Sequence, residues 1–328
     1  MSNGTHKLIS CVIPVFNEEA VLPFLFTVLA GLRIDGYAWE FILVDDGSTD
    51  QTLGHCLVKH REDARFKVIQ LGRNFGHQTA LTAGLEAARG DCAVILDADL
   101  QDPPVLIETF VREWENGADV VYGIRQHRKE NALKRACYHL FYRVYKKLAA
   151  MDVPLDSGDF CLIGRQALDM LNALPERVRF VRGLRSWVGL KQVGIPYERV
   201  ARVAGESKYT YISLTKLAFD GLVNFSTVPL HVATFLAFFT ALGGFGIMGW
   251  ALYAKFFGYE VPWGWTSTMV VMLFLFSIMF LILAILGQYI GRIFLEVKER
   301  PLYTVAHTWG FEPSREDGGK ITPPPIKD

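Results

Sequence analysis

The sequence contains no GxxxxGK phosphate loop followed by serine or threonine, no CxxC pair, no cluster of histidines and no surplus of charge of either sign. Each absence excludes something. Without the phosphate loop, a nucleotide would be held through side chains and a metal rather than in a glycine-rich cradle. Lysine plus arginine balance aspartate plus glutamate, 34 against 34, so the overall charge offers no case for nucleic acid, and none is expected as a partner. The five cysteines, Cys11, Cys56, Cys92, Cys137 and Cys161, are scattered, which excludes a disulfide framework and fits small reduced core residues of a cytosolic domain. No signal peptide is expected at the start, where the apolar run "LISCVIPVF" is short and closes on Asn17 and two glutamates.

Charge is also missing locally. Residues 232–254 and 261–291 contain no lysine, arginine, aspartate or glutamate, and each stretch exceeds the roughly 20 apolar residues that cross a bilayer. The run "MVVMLFLFSIMFLILAIL" favours membrane spans over two buried helices of a soluble core. Arg292, Lys298 and Arg300 follow the second stretch, whereas the loop "GYEVPWGWTST" has no lysine or arginine. The positive-inside rule therefore predicts two spans with both termini cytoplasmic, in the plasma (inner) membrane, with Pro262, Trp263 and Trp265 in an interfacial belt.

What is present ahead of the spans is an alternation of strands and helices. "LISCVIPVF", "WEFILVDD", "RFKVIQLG", "DCAVILDAD" and "ADVVYGIR" read as near-continuous apolar strands. Between them lie the helical patterns "NEEAVLPFLFTVLAGL", "TDQTLGHCLVKH", "GHQTALTAGLEAARG", which glycine ends, and "PPVLIETFVREWENG", which proline starts. This order predicts an α/β fold with a mostly parallel, Rossmann-like sheet covered on both faces. Ligands in such sheets bind beyond the carboxyl ends of the strands, where Asn17, Glu18, Asp45, Asp46, Arg73, Asn74, Asp97, Asp99 and Asp102 cluster.

Residues 123–147 carry eight lysines and arginines against one glutamate, and "ERVRFVRGLRSWVGLK" is a second basic stretch. Most of these side chains are expected on a solvated face, the segregated positive charge drawn to anionic headgroups. "GESKYTYISLTKLAFDGLVNFSTVPL" suits a helix lying in the interface, and the tail "EDGGKITPPPIKD" is expected to be disordered. The expected organisation is an α/β domain on the cytoplasmic side over residues 1–209, an interfacial amphipathic helix over 210–227, two transmembrane helices over 228–296 and a cytoplasmic tail over 297–328.

Asp97 and Asp99 end a strand, where both can turn toward one point. Carboxylate oxygens suit a hard divalent cation, and Mg²⁺ typically takes only one or two of them plus substrate phosphates. Asp102 is expected to cap the helix beginning at Pro103. Asp45 and Asp46 precede Gly47-Ser48 and suit either the polar edges of a nucleoside or a capped turn.

"VIPVFNEE", "LVDDGSTD", "LGRNFGHQTALTAG", "LDADLQDPP", "SGDF" and "GESKY", in that order and before two apolar stretches, resemble the family-2 (GT-A) polyprenyl-phosphate glycosyltransferases over nearly the whole chain. Within that group the chain is most similar to bacterial bactoprenol glucosyltransferases, with dolichol-phosphate mannose synthases as cousins. The resemblance implies Mg²⁺ or Mn²⁺ held by Asp97, Asp99 and Gln101, and a UDP-sugar bordered by Pro14, Asn17, Glu18, Asp46 and Asp97. It implies a catalytic role for Asp159 with Arg125 and Arg202. The acceptor would be an undecaprenyl or other polyprenyl phosphate, met by Arg125, Arg135, Arg202 and Lys208. A homo-oligomer, a tetramer, is implied as well. The family often carries a basic residue two places beyond the catalytic aspartate; here that position is Cys161, and Asp159 itself is open to reading as a turn cap.

The expected reaction is inverting transfer of a sugar, glucose first, onto the lipid phosphate at the cytoplasmic face. The same reaction with N-acetylglucosamine, aminoarabinose or GDP-mannose is the alternative. A processive polysaccharide synthase is disfavoured by the absence of a QxxRW motif and by having only two spans. A transporter or membrane scaffold with a degenerate nucleotide-binding domain is disfavoured because two spans leave no substrate path in one subunit and carry no ionisable residue at their centres.

Overall fold

A computed structural model describes residues 7–126, 157–177, 179–199, 228–257 and 264–311. The chain divides into two compact units, one of Met1–Tyr142, Met151–Thr210 and Pro301–Asp328, the other of Arg143–Ala150 and Tyr211–Arg300.

The first unit is built on one eight-stranded sheet. Its strands are β1 (Lys7–Val15), β2 (Tyr37–Asp45), β3 (Phe66–Leu71), β4 (Cys92–Ile95), β5 (Val120–Gln126), β6 (Ser157–Gly164), β7 (Gln192–Glu198) and β8 (Val305–Trp309), in the order β7-β5-β6-β4-β1-β2-β3-β8. β1 lies parallel to both β2 and β4, β2 to β3, and β5 to β7, while β6 and β8 run antiparallel to their neighbours. The expected α/β architecture with a mostly parallel sheet is observed. Helices α1 (Leu22–Gly31), α2 (Thr52–Glu62), α3 (His77–Ala87) and α4 (Leu106–Glu115) make the crossovers, followed by α5 (Arg165–Ala173) and α6 (Val181–Trp187). The third helix stops at Ala87, with Ala88 already extended, rather than running to Gly90 as the sequence suggests.

Burial explains why the strands lack alternation. From Ile9 on, β1 is buried at every position, and so is β2 from Trp39, because helices cover both faces. Trp39, Phe41 and Phe66 stack in succession, with centroids 5.7 and 4.7 Å apart, on one side of that core. Cys11, Cys56, Cys92 and Cys161 are buried and unpaired, as expected; Cys137 lies outside the described residues.

One charged group is locked inside this sheet. Glu40, 3% exposed, accepts the Ser10 hydroxyl and the Arg89 amide (2.9 Å) on one oxygen and faces Lys67 Nζ at 2.5 Å with the other. Burial alone would raise its carboxyl, but Lys67, Ser10 and the Arg89 amide hold it below the ordinary 4.5. Glu40→Ala should cost about 3 kcal/mol, since removing one partner of a buried pair strands the other. A depressed folded-state value means that Glu40 contributes stability above about pH 4.5, lost as the pH falls through the folded value. Urea midpoints of wild type and Glu40→Gln should therefore converge in acid and separate at neutral pH.

β8 is an element that the sequence does not announce. It pairs with β3 as an edge strand, and the segment before it is fastened by Gly72 N to Thr304 O (2.8 Å) and by the Tyr303 hydroxyl donating to Glu86 (2.6 Å).

The second unit contains helices α7 (Val228–Phe256) and α8 (Trp265–Val297). Within α8, the stretch Val270–Val297 contains an 18-residue window with a mean hydropathy of 3.0, none of it buried, unlike the core helix of a soluble protein. It is long and apolar enough to cross a membrane. In α7 the apolar stretch among the described residues is the shorter Ala233–Ile247. One crossing helix, not two, is thus supported by length and composition. The segments expected as an interfacial helix (210–227) and as a disordered tail (316–328) lie outside the described residues, as do Pro262 and Trp263 of the expected belt.

Candidate active site

The carboxyl ends of β1, β2 and β4 and the loop after β3 converge, and their loops are laced to one another. Asn17, in the left-handed region at φ 52°, accepts the Thr49 amide (2.8 Å), while its own amide donates to Ser48 Oγ (3.0 Å). The Glu18 amide donates to Thr52 Oγ1 (2.8 Å). Asp46 accepts the amides of Phe75 (2.7 Å) and Gly76 (2.9 Å), so it caps the loop entering α3. Gly47, at φ +70°, lets that loop come close: a Cβ there would sit 2.6 Å from the Arg73 carbonyl carbon. Pro14 is buried inside β1, opposite Val44.

β4 ends in the Asp97–Asp102 segment. Asp97 Oδ1 is buried without a hydrogen-bond partner among the described residues, and His77 Nε2 lies 3.6 Å away. Burial pushes the Asp97 carboxyl up to about 6; His77 pulls against this, and the Asp159, Asp102 and Asp99 carboxylates add to it. Leu100, at φ 54°, turns the chain so that the Gln101 amide donates back to Asp99 Oδ1 (3.1 Å). An orphaned buried carboxylate oxygen, with the Asp99 carboxylate close enough to act on its charge, suits a hard divalent ion. Among the described residues no three His, Cys, Asp or Glu side chains gather closely enough to hold a metal. A hard ion such as Mg²⁺ ordinarily takes only one or two protein carboxylates and fills its other positions with water and phosphate oxygens.

Asp102 does not cap α4. The helix begins after Val105 with no side-chain cap, and Asp102, 0% exposed, faces inward. It accepts the Tyr197 hydroxyl, and Arg125 Nη2 (3.5 Å) and Arg199 Nε (3.3 Å) flank it. Arg125 Nε also donates to the Tyr197 oxygen (3.3 Å), and Arg199 reaches Asp99 at 3.6 Å. Gly158 makes room for Arg125, since a Cβ there would lie 2.8 Å from its Nη2.

Asp159 is part of β6 rather than a turn. Gln78 Nε2 (3.3 Å) and Arg182 Nη2 (3.4 Å) donate to it, and His77 Nε2 lies 3.7 Å away. Burial would raise its carboxyl, yet Arg182, His77 and Arg185 hold it well below the usual carboxylate range. His77 is in turn raised: burial opposes its charge, but Asp159, Asp97 and Asp46 surround it. Cys161 is fully buried, so the strand itself offers no cation there, but the Arg185 guanidinium reaches its thiol from α6.

The structure thus joins Asp97 to Asp159 through His77, and Asp99 to Asp102 through Arg199, with Arg125 attached at Asp102. Arg135, Arg202 and Lys208 lie outside the described residues. His77, Gln78, Arg182, Tyr197 and Arg199 at the site, and Arg185 buried behind it, are not singled out by the sequence.

The model of the family described as Glycosyl transferase family 2 matches residues 10–171. Over 94% of its length the chain is 41% identical to the uncharacterized glycosyltransferase YkcC of Bacillus subtilis, covering 97% of that protein. The chain belongs to glycosyl transferase family 2. Its α/β unit is a domain of the GT-A type. The transferase is also similar to the uncharacterized glycosyltransferase sll0501 of Synechocystis, at 38% identity over 93% of this chain and 96% of the relative. To the SfII prophage-derived bactoprenol glucosyl transferase of Shigella flexneri it is 37% identical, over 90% of this chain and 97% of the relative. Among solved structures, glucosyl-3-phosphoglycerate synthase from Mycobacterium tuberculosis, in complex with Mn²⁺, UDP-glucose and phosphoglyceric acid, covers 67% of the transferase and 78% of that chain. Its TM-score of 0.47 and identity of 19% carry no argument about chemistry.

Proposed function

We propose that this transferase moves a hexose, glucose in the first instance, from a UDP-sugar to undecaprenyl or another polyprenyl phosphate at the cytoplasmic face of the plasma membrane. The observation that carries the reading is the 37% identity to a bactoprenol glucosyl transferase across 300 residues, a likeness long enough to include both the α/β unit and the apolar helices. The exposed apolar surface of α8 supports a membrane setting. In this reading α7 and α8 both span, the termini are cytoplasmic, residues 210–227 lie in the interface, and the protein works as a homo-oligomer, a tetramer.

The acceptor is a phosphate monoester with a second pKa of about 6, so it is an anionic nucleophile near neutral pH. Its oxygen attacks the anomeric carbon, the bond from that carbon to the β-phosphate oxygen breaks, and the electron pair leaves with the nucleoside diphosphate, inverting the anomer. Asp97, Asp99 and Gln101 would hold Mg²⁺ or Mn²⁺, which when bound supplies positive charge at the departing diphosphate. Pro14, Asn17, Glu18 and Asp46 border the nucleotide. Asp159 is the catalytic residue. A carboxyl held so far below its usual range is a weak base, so its work is to orient sugar and acceptor rather than to take a proton. Arg125 meets the acceptor phosphate together with Arg135, Arg202 and Lys208.

The test offers the purified protein polyprenyl phosphate, polyprenyl diphosphate and unphosphorylated polyprenol against a panel of UDP- and GDP-sugars. Transfer is expected to the monophosphate alone, with UDP-glucose the best donor and a β-linked product. Equal transfer to polyprenol, or to no lipid at all, contradicts the reading.

A further inference from the structure

Arg185 is the largest charged side chain sealed inside the catalytic unit, at 2% exposure. Among the described residues its Nε and Nη2 are buried with no hydrogen-bond acceptor, and it forms no salt bridge. The guanidinium stacks over the Tyr122 ring, 4.9 Å from the centroid, and faces the Cys161 thiol. Tyr122 and Cys161 are directly paired across β5 and β6, so both side chains stand on one face of the sheet. Asp159, two residues before Cys161 on β6, stands on that face as well. One helical turn earlier on α6, Arg182 reaches Asp159 directly.

A buried guanidinium with unsatisfied N–H groups is an expensive core residue. An apolar side chain of similar volume over Tyr122 and Cys161 would fold at least as well. Packing does not account for such a group, and 2% exposure excludes contact with a substrate. Asp159 stands two residues from Cys161 on the face that Arg185 covers, and Arg185 is among the cations that hold its carboxyl low.

We infer that Arg185 is a positioning residue: from beneath Cys161 and Tyr122 its buried cation fixes Asp159 in the charged, outward-facing state in which Asp159 orients the sugar and the acceptor. This rests on the reading of Asp159 given above. What the geometry requires is a guanidinium over Cys161, whichever strand or helix supplies it.

The experiment uses the full-length protein with UDP-glucose and undecaprenyl phosphate. It compares wild type, Arg185→Met, Cys161→Arg and the double variant Cys161→Arg/Arg185→Met, with kcat, donor KM and melting temperature for each. Arg185→Met should lower kcat by about thirtyfold or more, leave the donor KM within about twofold and leave the melting temperature unchanged or higher. A purely structural role would instead lower the melting temperature and spare kcat. Cys161→Arg alone places two guanidiniums in one space and should melt earlier. The double variant, with the cation relocated to the strand, should recover both melting temperature and at least tenfold of the lost kcat. The inference is overturned if Arg185→Met keeps its kcat, or if it loses kcat and the double variant recovers none. Absence of transfer by wild type would count against the proposed function instead, and the melting temperatures of the four proteins would still report whether the two positions share one space.

Discussion

Replacing Asp97 by asparagine should reduce sugar transfer by about a thousandfold or more, while the metal-free protein melts no earlier than wild type. The two halves have one cause. Among the described residues Asp97 Oδ1 is buried without a hydrogen-bond partner, and the carboxyl is pushed up to about 6 by burial and by the Asp159, Asp102 and Asp99 carboxylates around it. An amide of the same shape removes that penalty, offset by the weakened attraction to His77 at 3.6 Å. The same orphaned oxygen is what would ligate a divalent ion, whose stabilisation of a leaving group is worth several kcal/mol, about three decades in rate. Melting curves with EDTA and with Mn²⁺ separate the two effects: wild type should gain stability on adding the ion, and Asp97→Asn should not. A variant that melts early without metal and still responds to Mn²⁺ would show that Asp97 is a structural carboxylate.

The second large effect lies at Asp102. Asp102→Ala should destabilise the protein by about 3–5 kcal/mol, the cost of stranding buried partners of a lost charge. It should also lower transfer, because Tyr197, Arg125 and Arg199 all rest on that carboxylate and Arg199 connects it to Asp99. Asp102→Asn keeps an acceptor for the Tyr197 hydroxyl and should lie between wild type and alanine. Urea denaturation of the detergent-solubilised chain measures the order. If alanine costs less than about 1 kcal/mol, Asp102 is not the hub described here.

Asp102 also shows where reading the sequence stops. Its position before Pro103 and Pro104 looks like a helix cap, a local pattern. Its real partners, Tyr197 and Arg199, are supplied from the far end of the catalytic unit, and nothing near Asp102 announces them. The same holds for the second basic stretch. Arg182 and Arg185 look like a solvated helix face because basic runs usually are one, yet α6 turns them toward Asp159. By contrast β1, β2 and β4 were legible because burial on both faces leaves each with an apolar run bounded by turn residues. Asp97 and Asp99 were legible because a charged pair ending such a run must face a ligand or solvent. β6 opens on serine, glycine and aspartate, β7 contains glycine and proline, and β8 is five residues long, so none carries a strong local signal. Their places are set by long-range pairing, β8 with β3 above all.

The account stands most directly on one product. Full-length protein in detergent, given undecaprenyl phosphate, UDP-glucose and Mn²⁺, should yield a lipid whose mass rises by one hexose per phosphate. EDTA should abolish the product, and adding Mg²⁺ or Mn²⁺ back should restore it. Failure to form any lipid-linked hexose with metal present, from UDP-glucose or from any other nucleotide sugar, would contradict the account.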